Sequence, residues 1–579
     1  MKFDIDDLRL FRPLALHARL APMRSLRPLF LALSSTLLLT LGLPNENWLL
    51  GFAPLGWIAL VPLYLALAEA PSYRKAALLT AVYGAALHAA SSYWLYFFRD
   101  YAFWTIGVTT MAYFVVYYLL GLCLAFLPRR AGVLRPLAFA LAWASFEFWK
   151  SSGFLGYPWG LLPYTQSSFL PLLQVADLTG VYGLSFLLAL ANASIAELLV
   201  SGSVPHSLSL AQWGEPRFER LGKKAKAARH YRFRLGHRGT LPPRVRLGYA
   251  GLSIALTICA LGYGYFRLSE PVVTKTSLKT LIVQQASDPW SEGAEAAVEA
   301  NMLLVKKALA SSTDKPDLVL FSESSLGYPY KDSEAWYEKN PRNDPFLPWW
   351  RTLGLWLFTG TPVVLDWKDF SATNSVMLID PQGRPRGDYA KIHPVPFAEA
   401  IPFYEYPWFR DFLKKAVGLE AGWTMGTKEV VFNFATKDGV LRFGAPICFE
   451  DAFSSLCRDF VVKGADLLVN LTDDSWSQTK SAEWQHLAAA RFRSIETRRP
   501  LVRSTNSGVS CLVDSKGEIS DVLPLFSPQW ELIDVPIPQP QNTLYIRFGE
   551  WFAVLCLLLS FGWGIMLIAR DRISRREGP

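Results

Sequence analysis

Charge is scarce in this chain. Asp, Glu, Lys and Arg make up 18% of its 579 residues, where a soluble protein carries about 25%. That shortfall argues against a wholly soluble chain, and 51% hydrophobic residues point to a lipid-embedded part. Cysteine is sparse too. There are six, and no two form a Cys-x-x-Cys pair, which argues against a zinc ribbon or a thioredoxin-like motif. Cys123, Cys259 and Cys556 fall in apolar segments and read as small buried hydrophobes. Cys448, Cys457 and Cys511 lie in a more polar region. No internal repeat and no low-complexity tract appears, and repeats are what many transporters are built from. The N-terminus lacks a cleavable signal pattern, so the first apolar run reads as a retained span.

What the chain does have is long apolar runs. About 20 apolar residues cross the hydrocarbon core as a helix. Candidate spans lie near 28–44, 48–69, 76–98, 104–127, 134–150, 179–200, 248–267 and 550–569. The net charge is +9, and its distribution speaks against nucleic acid. Basic residues collect beside apolar runs: Lys2 to Arg27, Arg74 and Lys75, Arg129 to Arg135, Arg217 to Arg246, and Arg570 to Arg576. With eight spans all of these fall on one side, which the positive-inside rule makes cytoplasmic. The expected layout is a cytoplasmic segment 1–27, a membrane domain 28–267, an extracytoplasmic domain 268–549, a last span 550–569 and a cytoplasmic tail 570–579. The basic loop 201–247 reads as an orientation anchor. Its alternative is a segment lying on anionic headgroups, where each cation contributes about 1 kcal/mol.

Residues 268–549 have the pattern of an α/β domain, short β-branched runs alternating with amphipathic helices. Strands are expected at 278–285, 317–321, 361–366, 375–380, 440–449 and 465–471, with a last pair around 501–523. Helices are expected at 292–311 and 481–498. Of the tryptophans there, Trp336, Trp349, Trp350, Trp408 and Trp423 divide between core packing and loops that dip into the lipid interface.

Three residues stand where sites in α/β sheets gather, just past strands: Glu323, Lys391 and Cys448. A cysteine attacks a carbonyl as its thiolate. A carboxylate can take the thiol proton and later return it, and an ammonium can stabilise the oxyanion. Spacing alone leaves this trio no better than a packing cysteine beside two solvated charges. His393 and His486 have no partner pattern for a Cys-His dyad. Asp473 and Asp474 lack companion ligands at metal-binding spacing. Arg491, Arg493 and Glu496 read as a structural ion network.

The pieces FSESSLGYP, AKIHPVPFAEAIPF, APICFED, LLVNLTDDSW, EWQHLAAARFRSIE and RPLVRSTNSGVS follow one another in that order, with GYPWGLLPYTQ upstream at 156–166. Together they resemble the apolipoprotein N-acyltransferase family, a membrane branch of the nitrilase-like carbon–nitrogen hydrolases. The resemblance covers nearly the whole chain. It implies about eight membrane helices joined to an extracytoplasmic αββα nitrilase-like sandwich. It implies Glu323 as general base, Lys391 as oxyanion-stabilising lysine, Cys448 as nucleophile and Glu399 as a supporting carboxylate. Phe449 and Glu450 match the aromatic and glutamate after the nucleophile. Phe321 and Ser322 depart from the family's Trp-Pro before the base, and Asp473 to Gln478 depart from its Asn-Asp-Ala-Trp-Phe-Gly.

The implied reaction is a ping-pong transfer. A membrane phospholipid donates an acyl group to Cys448, and the N-terminal diacylglyceryl-cysteine of an apolipoprotein accepts it. No cofactor, no metal and no nucleic acid is implied, and the chain is expected to work as a monomer in the bacterial inner membrane. Two other readings stand beside this one. A membrane-anchored amidase needs one span rather than eight. A transporter with an extracytoplasmic domain shows repeats and mid-span charges.

Overall fold

The structure is a computed structural model that describes residues 12–98, 102–203, 241–288, 292–396, 399–400, 406–417, 422–436 and 439–576. Most of the expected basic loop 201–247 and the first eleven residues lie outside them. Among the described residues, four helices are long and apolar enough to cross a membrane: Phe103–Arg130, Val181–Val200, Pro243–Ser269 and Trp551–Arg570. They fall on the runs expected near 104–127, 179–200, 248–267 and 550–569.

Two other runs are not the continuous helices the hydropathy suggested. The run 48–69 is broken into Ala53–Gly56 and Val61–Glu69, each with a proline in its first turn. Proline starts helices well but breaks one already under way. Asn192 mends the break, donating to the carbonyl of Gly56 (2.9 Å) and accepting from the amide of Leu60 (2.8 Å). In an apolar bundle such freed backbone groups need a side-chain partner. The run 76–98 ends its α-helix at Ser91 and continues as a 3-10 turn, Tyr93–Phe97.

The polar region folds into two six-stranded sheets. In chain order the strands are β1 (Thr274–Gln284), β2 (Leu318–Leu320), β3 (Trp356–Asp366), β4 (Ser371–Ile379), β5 (Pro385–Ala390), β6 (Val431–Thr436), β7 (Gly439–Gly444), β8 (Leu467–Thr472), β9 (Leu501–Thr505), β10 (Cys511–Val513), β11 (Ile519–Ser520) and β12 (Gln529–Pro538). One sheet has the order β12-β1-β2-β3-β4-β5, the other β11-β10-β9-β8-β7-β6. Each has a parallel centre, β1-β2-β3 and β7-β8-β9, with antiparallel flanks. The sheets meet face to face. Phe358 of β3 packs on Phe432 and Phe443 of the other sheet at 5.0 and 4.9 Å. Helix Gly293–Ser311 covers the first sheet; Ser454–Val462 and Lys480–Thr497 cover the second. This is the expected αββα sandwich.

Four strands escape a sequence reading: the expected pair around 501–523 is three strands, of which β11 is only two residues long. β5 reads PRGDYA, with no apolar run, and β6 and β12 carry alternating burial that is too weak to stand out. Their pairing partners, not their own propensity, make them strands.

Helix Lys480–Thr497 does more than cover a sheet. It is buried nearly all round, because the apolar helices pack on its other side. Gln485 donates to the carbonyls of Pro44 and Ser91, both at 3.0 Å. Glu496 accepts from the amide of Val181 at 3.0 Å. The expected ion network is half present. Arg493 and Glu496 pair at 2.9 Å, but Arg491 turns away and donates to the carbonyls of Ser167 and Gly517. Of the tryptophans, Trp350 is core while Trp408 stands 71% exposed.

Candidate active site

Glu323 stands three residues past β2, at the edge where the two sheets meet. Its backbone runs so close to β3 that a side chain at Gly360 would meet the amide nitrogen of Ser324 at 2.3 Å and the Cα of Glu323 at 2.7 Å. Glycine is required there for close approach. The Glu323 carboxylate is 5% exposed and has three donors. Asn374 of β4 gives 2.7 Å and Lys391 gives 3.1 Å to Oε1; the amide of Asp473 gives 2.9 Å to Oε2.

Lys391 follows β5 directly, so the strand that the sequence hid is the one that delivers it. Its Nζ sits between two carboxylates, Glu323 at 3.1 Å and Glu399 at 2.8 Å. Glu399 is fixed in turn by Asn374 (2.9 Å) and the amide of Val395 (2.7 Å). Asn374 thus bridges both carboxylates. It is a site residue the sequence reading missed, although an asparagine buried inside a strand must find partners somewhere.

Cys448 opens the turn Cys448–Ala452, four residues beyond the end of β7. Its φ is +51°, a conformation that costs a non-glycine residue about 1–3 kcal/mol and persists only where the surroundings hold it. Asn470 of β8 does so, donating to the carbonyls of Pro446 (2.9 Å) and Cys448 (2.8 Å). Glu450 does so from the other side. Its carboxylate accepts from the amides of Ile392, His393 and Ile447 at 2.7, 2.9 and 2.7 Å and from the hydroxyl of Tyr389 at 3.0 Å. It therefore ties the Lys391 strand end to the Cys448 turn. The Phe449 ring lies 5.9 Å from Lys391 Nζ.

Burial and charge set the protonation states. Burial raises the Glu323 carboxyl above its ordinary value; Lys391 pulls it down and Glu399 pushes it up again. Burial draws the Lys391 ammonium down, but Glu323 and Glu399 outweigh this and hold it well above the ordinary lysine value. Burial, then the negative charge of Glu323, pushes the Cys448 thiol well up, with Lys391 opposing. Glu450 is pushed up to about 7 by burial, against the amides that bond it. Two carboxylates sharing one ammonium leave the pocket short of positive charge, so the resting cysteine is a neutral thiol.

Behind the turn lies a second charged layer. His486 donates to Asp474 and to Asp451, both at 2.9 Å, and Asp451 is also paired with Arg503. The His486 ring also lies 5.4 Å from Trp159. Trp159 belongs to the GYPWGLLPYTQ stretch and packs on Phe449 as well, at 6.1 Å. Burial lowers the His486 imidazolium, but Asp474 and Asp451 outweigh it and set its pKa at about 9 rather than 6.5. The folded value lies above the unfolded one. The imidazolium therefore adds stability that is fully present below about pH 6.5 and is lost as pH rises through about 9. Thermal unfolding of wild type and His486→Asn is expected to show a gap that is widest near pH 6 and narrows by pH 9.5. A gap that stays constant over that range contradicts the charged clamp.

This architecture has known counterparts. The family model "Apolipoprotein N-acyltransferase N-terminal domain" matches residues 35–194, and "Carbon-nitrogen hydrolase" matches 282–540. A Treponema denticola protein named Apolipoprotein N-acyltransferase 2 is 37% identical over 539 residues, 93% of this chain and 97% of that protein. Its namesake from Treponema pallidum is 35% identical over 94% of this chain and 96% of its own length. The chain belongs to the apolipoprotein N-acyltransferase family. Borreliella burgdorferi Apolipoprotein N-acyltransferase is 28% identical over 91% of the chain. The division between the two matched models explains the layout of the site. The carbon–nitrogen hydrolase part holds Glu323, Lys391, Glu399 and Cys448. The part matched by the N-terminal-domain model contributes Trp159, which stands behind the cysteine turn.

The departures from the family pattern are accommodated locally. Ser322, in place of proline, is fully buried and bonded to Gln285 at 2.8 Å. Asp473 keeps its backbone amide on Glu323, and its side chain accepts from Asn506 at 3.0 Å. Trp476 packs on Trp94 and Phe98 at 5.6 and 5.1 Å.

Proposed function

We propose that the chain moves an acyl group from a membrane phospholipid to the free α-amino group of a diacylglyceryl-cysteine at the N-terminus of an apolipoprotein, through a thioester on Cys448. Support comes chiefly from one observation: Lys391 Nζ lies between Glu323 and Glu399, and the charges of Glu323 and Lys391 pull the Cys448 thiol in opposite directions.

In the first step Glu323 takes the thiol proton as Sγ bonds to the ester carbonyl carbon. The ammonium of Lys391 offsets the charge that develops on the carbonyl oxygen. The carbon–oxygen bond breaks, Glu323 returns the proton to the departing lysophospholipid, and a thioester remains. In the second step the amine nitrogen attacks the thioester. Its proton passes through Glu323 to the cysteine sulfur as the carbon–sulfur bond breaks. Raised basicity suits Glu323 to this work. A neutral resting thiol means that the thiolate forms only as the proton is removed. Glu399 holds Lys391, and Glu450 and Phe449 hold and wall the turn.

Both substrates are lipids, which is the reason to join a hydrolase fold to a bundle of apolar helices. The proposed layout keeps about eight spans: seven within 28–267 and the last at 550–569. Both termini lie in the cytoplasm, the catalytic domain 268–549 lies in the periplasm, and the chain acts as a monomer. The apolar helices favour this reading over an amidase with a simple anchor.

The test is a two-stage transfer. Purified protein is loaded with phospholipid labelled in its acyl chain and freed of excess lipid. It then receives a diacylglyceryl lipopeptide with a free amino terminus. Label is expected to leave the protein and appear on the peptide amine. Label that transfers only while phospholipid is present contradicts a covalent intermediate. Gly360→Ala is expected to lower transfer by about 100-fold, the effect of displacing a catalytic group by about 1 Å. Overpacking against the Glu323 backbone destabilises the fold by only about 1–3 kcal/mol. Transfer rate and thermal midpoint, measured together, check it.

A further inference from the structure

The seam between the catalytic domain and the apolar helices holds an open cavity of about 580 Å³ that the reaction above does not use. Its volume is in the usual range for small-ligand sites, about 300–1,000 Å³. One wall is apolar, made by Leu50, Leu170, Leu268 and Val272. Leu268 lies in the last turn of the membrane-length helix Pro243–Ser269, so this wall is at the level where that helix meets the catalytic domain.

The opposite wall carries Arg491 and Lys516. Arg491 is 6% exposed. It spends Nε on the carbonyl of Gly517 and Nη1 on that of Ser167, and its Nη2 meets no protein acceptor among the described residues. Burial draws its guanidinium down to about 10, with Asp514 only partly opposing. A buried cation held by carbonyls alone leaves room for an anion. Lys516 donates to the carbonyls of Leu268 (2.7 Å) and Glu270 (2.6 Å) and has one proton left. Asp514 is occupied with the turn itself, accepting from the amides of Lys516 (2.8 Å) and Glu518 (2.7 Å). Glu518 stands exposed at the mouth.

We propose that this cavity binds the headgroup of a glycerophospholipid, with its phosphodiester on Arg491 and Lys516, an ammonium end toward Glu518, and its glycerol region against Leu170 and Leu268. This lipid is not the acyl donor, since Cys448 does not line the cavity. It seats the catalytic domain on the helices. The inference rests on the reading that the seam lies at the membrane surface, and it does not depend on the thioester chemistry.

The test is native mass spectrometry of the full chain, delipidated in detergent and titrated with dioleoyl-phosphatidylethanolamine. Parallel titrations use dioleoyl-phosphatidylglycerol, dioleoylglycerol and inorganic phosphate. Wild type is expected to hold one phosphatidylethanolamine that Lys516→Met holds about tenfold more weakly, the loss of one charge-assisted hydrogen bond. Leu170→Trp, which keeps both cations and fills the apolar wall, is expected to weaken it similarly. Acyl-thioester formation on Cys448, read in the same samples, should persist in both variants, so failure of this site and failure of the catalytic reading are separable. Equal phosphatidylethanolamine binding by wild type and both variants overturns the proposal. So does dioleoylglycerol or free phosphate binding as well as the phospholipid, or phosphatidylglycerol binding more tightly.

Discussion

Lys391→Met is expected to slow acyl transfer by about 10²–10³-fold or more, the usual cost of one oxyanion-stabilising donor. It should also destabilise the fold. The methionine leaves Glu323 and Glu399 facing each other without their shared cation, and removing one partner of a buried ion pair costs about 3–5 kcal/mol. The two effects separate in Lys391→Arg. The guanidinium restores a charge between the carboxylates, so stability should largely return. Its planar fork cannot place a compact charge where the lysine ammonium sits, so transfer should stay low. Thermal midpoints and initial transfer rates, measured for both variants, check this. A Lys391→Met protein that keeps its stability would show that the Glu323–Lys391–Glu399 contacts are not the charge balance described.

Glu323→Gln is expected to lower transfer by about 10²–10⁴-fold, the range for loss of a positioned general base. Its effect on stability should be the opposite of the lysine change. Two carboxylates now share one ammonium, and replacing one with an amide removes the surplus negative charge at little steric cost. The thiol should then titrate lower, because the negative charge of Glu323 is a cause of its elevation, second only to burial. Alkylation of Cys448 by a small neutral reagent, followed against pH, should therefore shift toward lower pH in Glu323→Gln even as transfer collapses. In wild type, transfer should rise with pH as the raised Glu323 carboxyl ionises. In the glutamine variant that limb should disappear. A variant that loses transfer but keeps the wild-type limb would assign it to another group.

Much of this site was legible in the sequence, and the reasons are local. Glu323 and Cys448 each follow a β-branched run that ends in a turn, and such strand ends collect catalytic groups. Lys391 was placed past a strand as well, but the strand itself was not legible, since β5 has no apolar alternation and becomes a strand by pairing with β4. What stayed hidden depends on long-range contact. Asn374 lies 51 residues from Glu323, and Asn470 lies 22 from Cys448. Neither pairing has a periodic signature. His486 looked like a helix residue with no partner because its two aspartates come from two separate turns. Trp159 looked like part of a loop between spans. Its role behind the cysteine turn exists only once the helices dock on the sandwich. The fold shows the same division. The sandwich was readable from its central strands, while the break at 57–60 was masked by hydropathy, which counts Pro54 and Pro62 little and sees no hydrogen bonds.

The central claim is that Cys448 carries the acyl group between donor and acceptor. The most direct measurement is tandem mass spectrometry of the Cys448 peptide after the protein meets phospholipid without acceptor. An acyl adduct on that sulfur, released by hydroxylamine and absent from Cys448→Ala, is the predicted result. An adduct that persists in Cys448→Ala, or a folded wild type that transfers acyl groups while its Cys448 peptide stays unmodified, would contradict it.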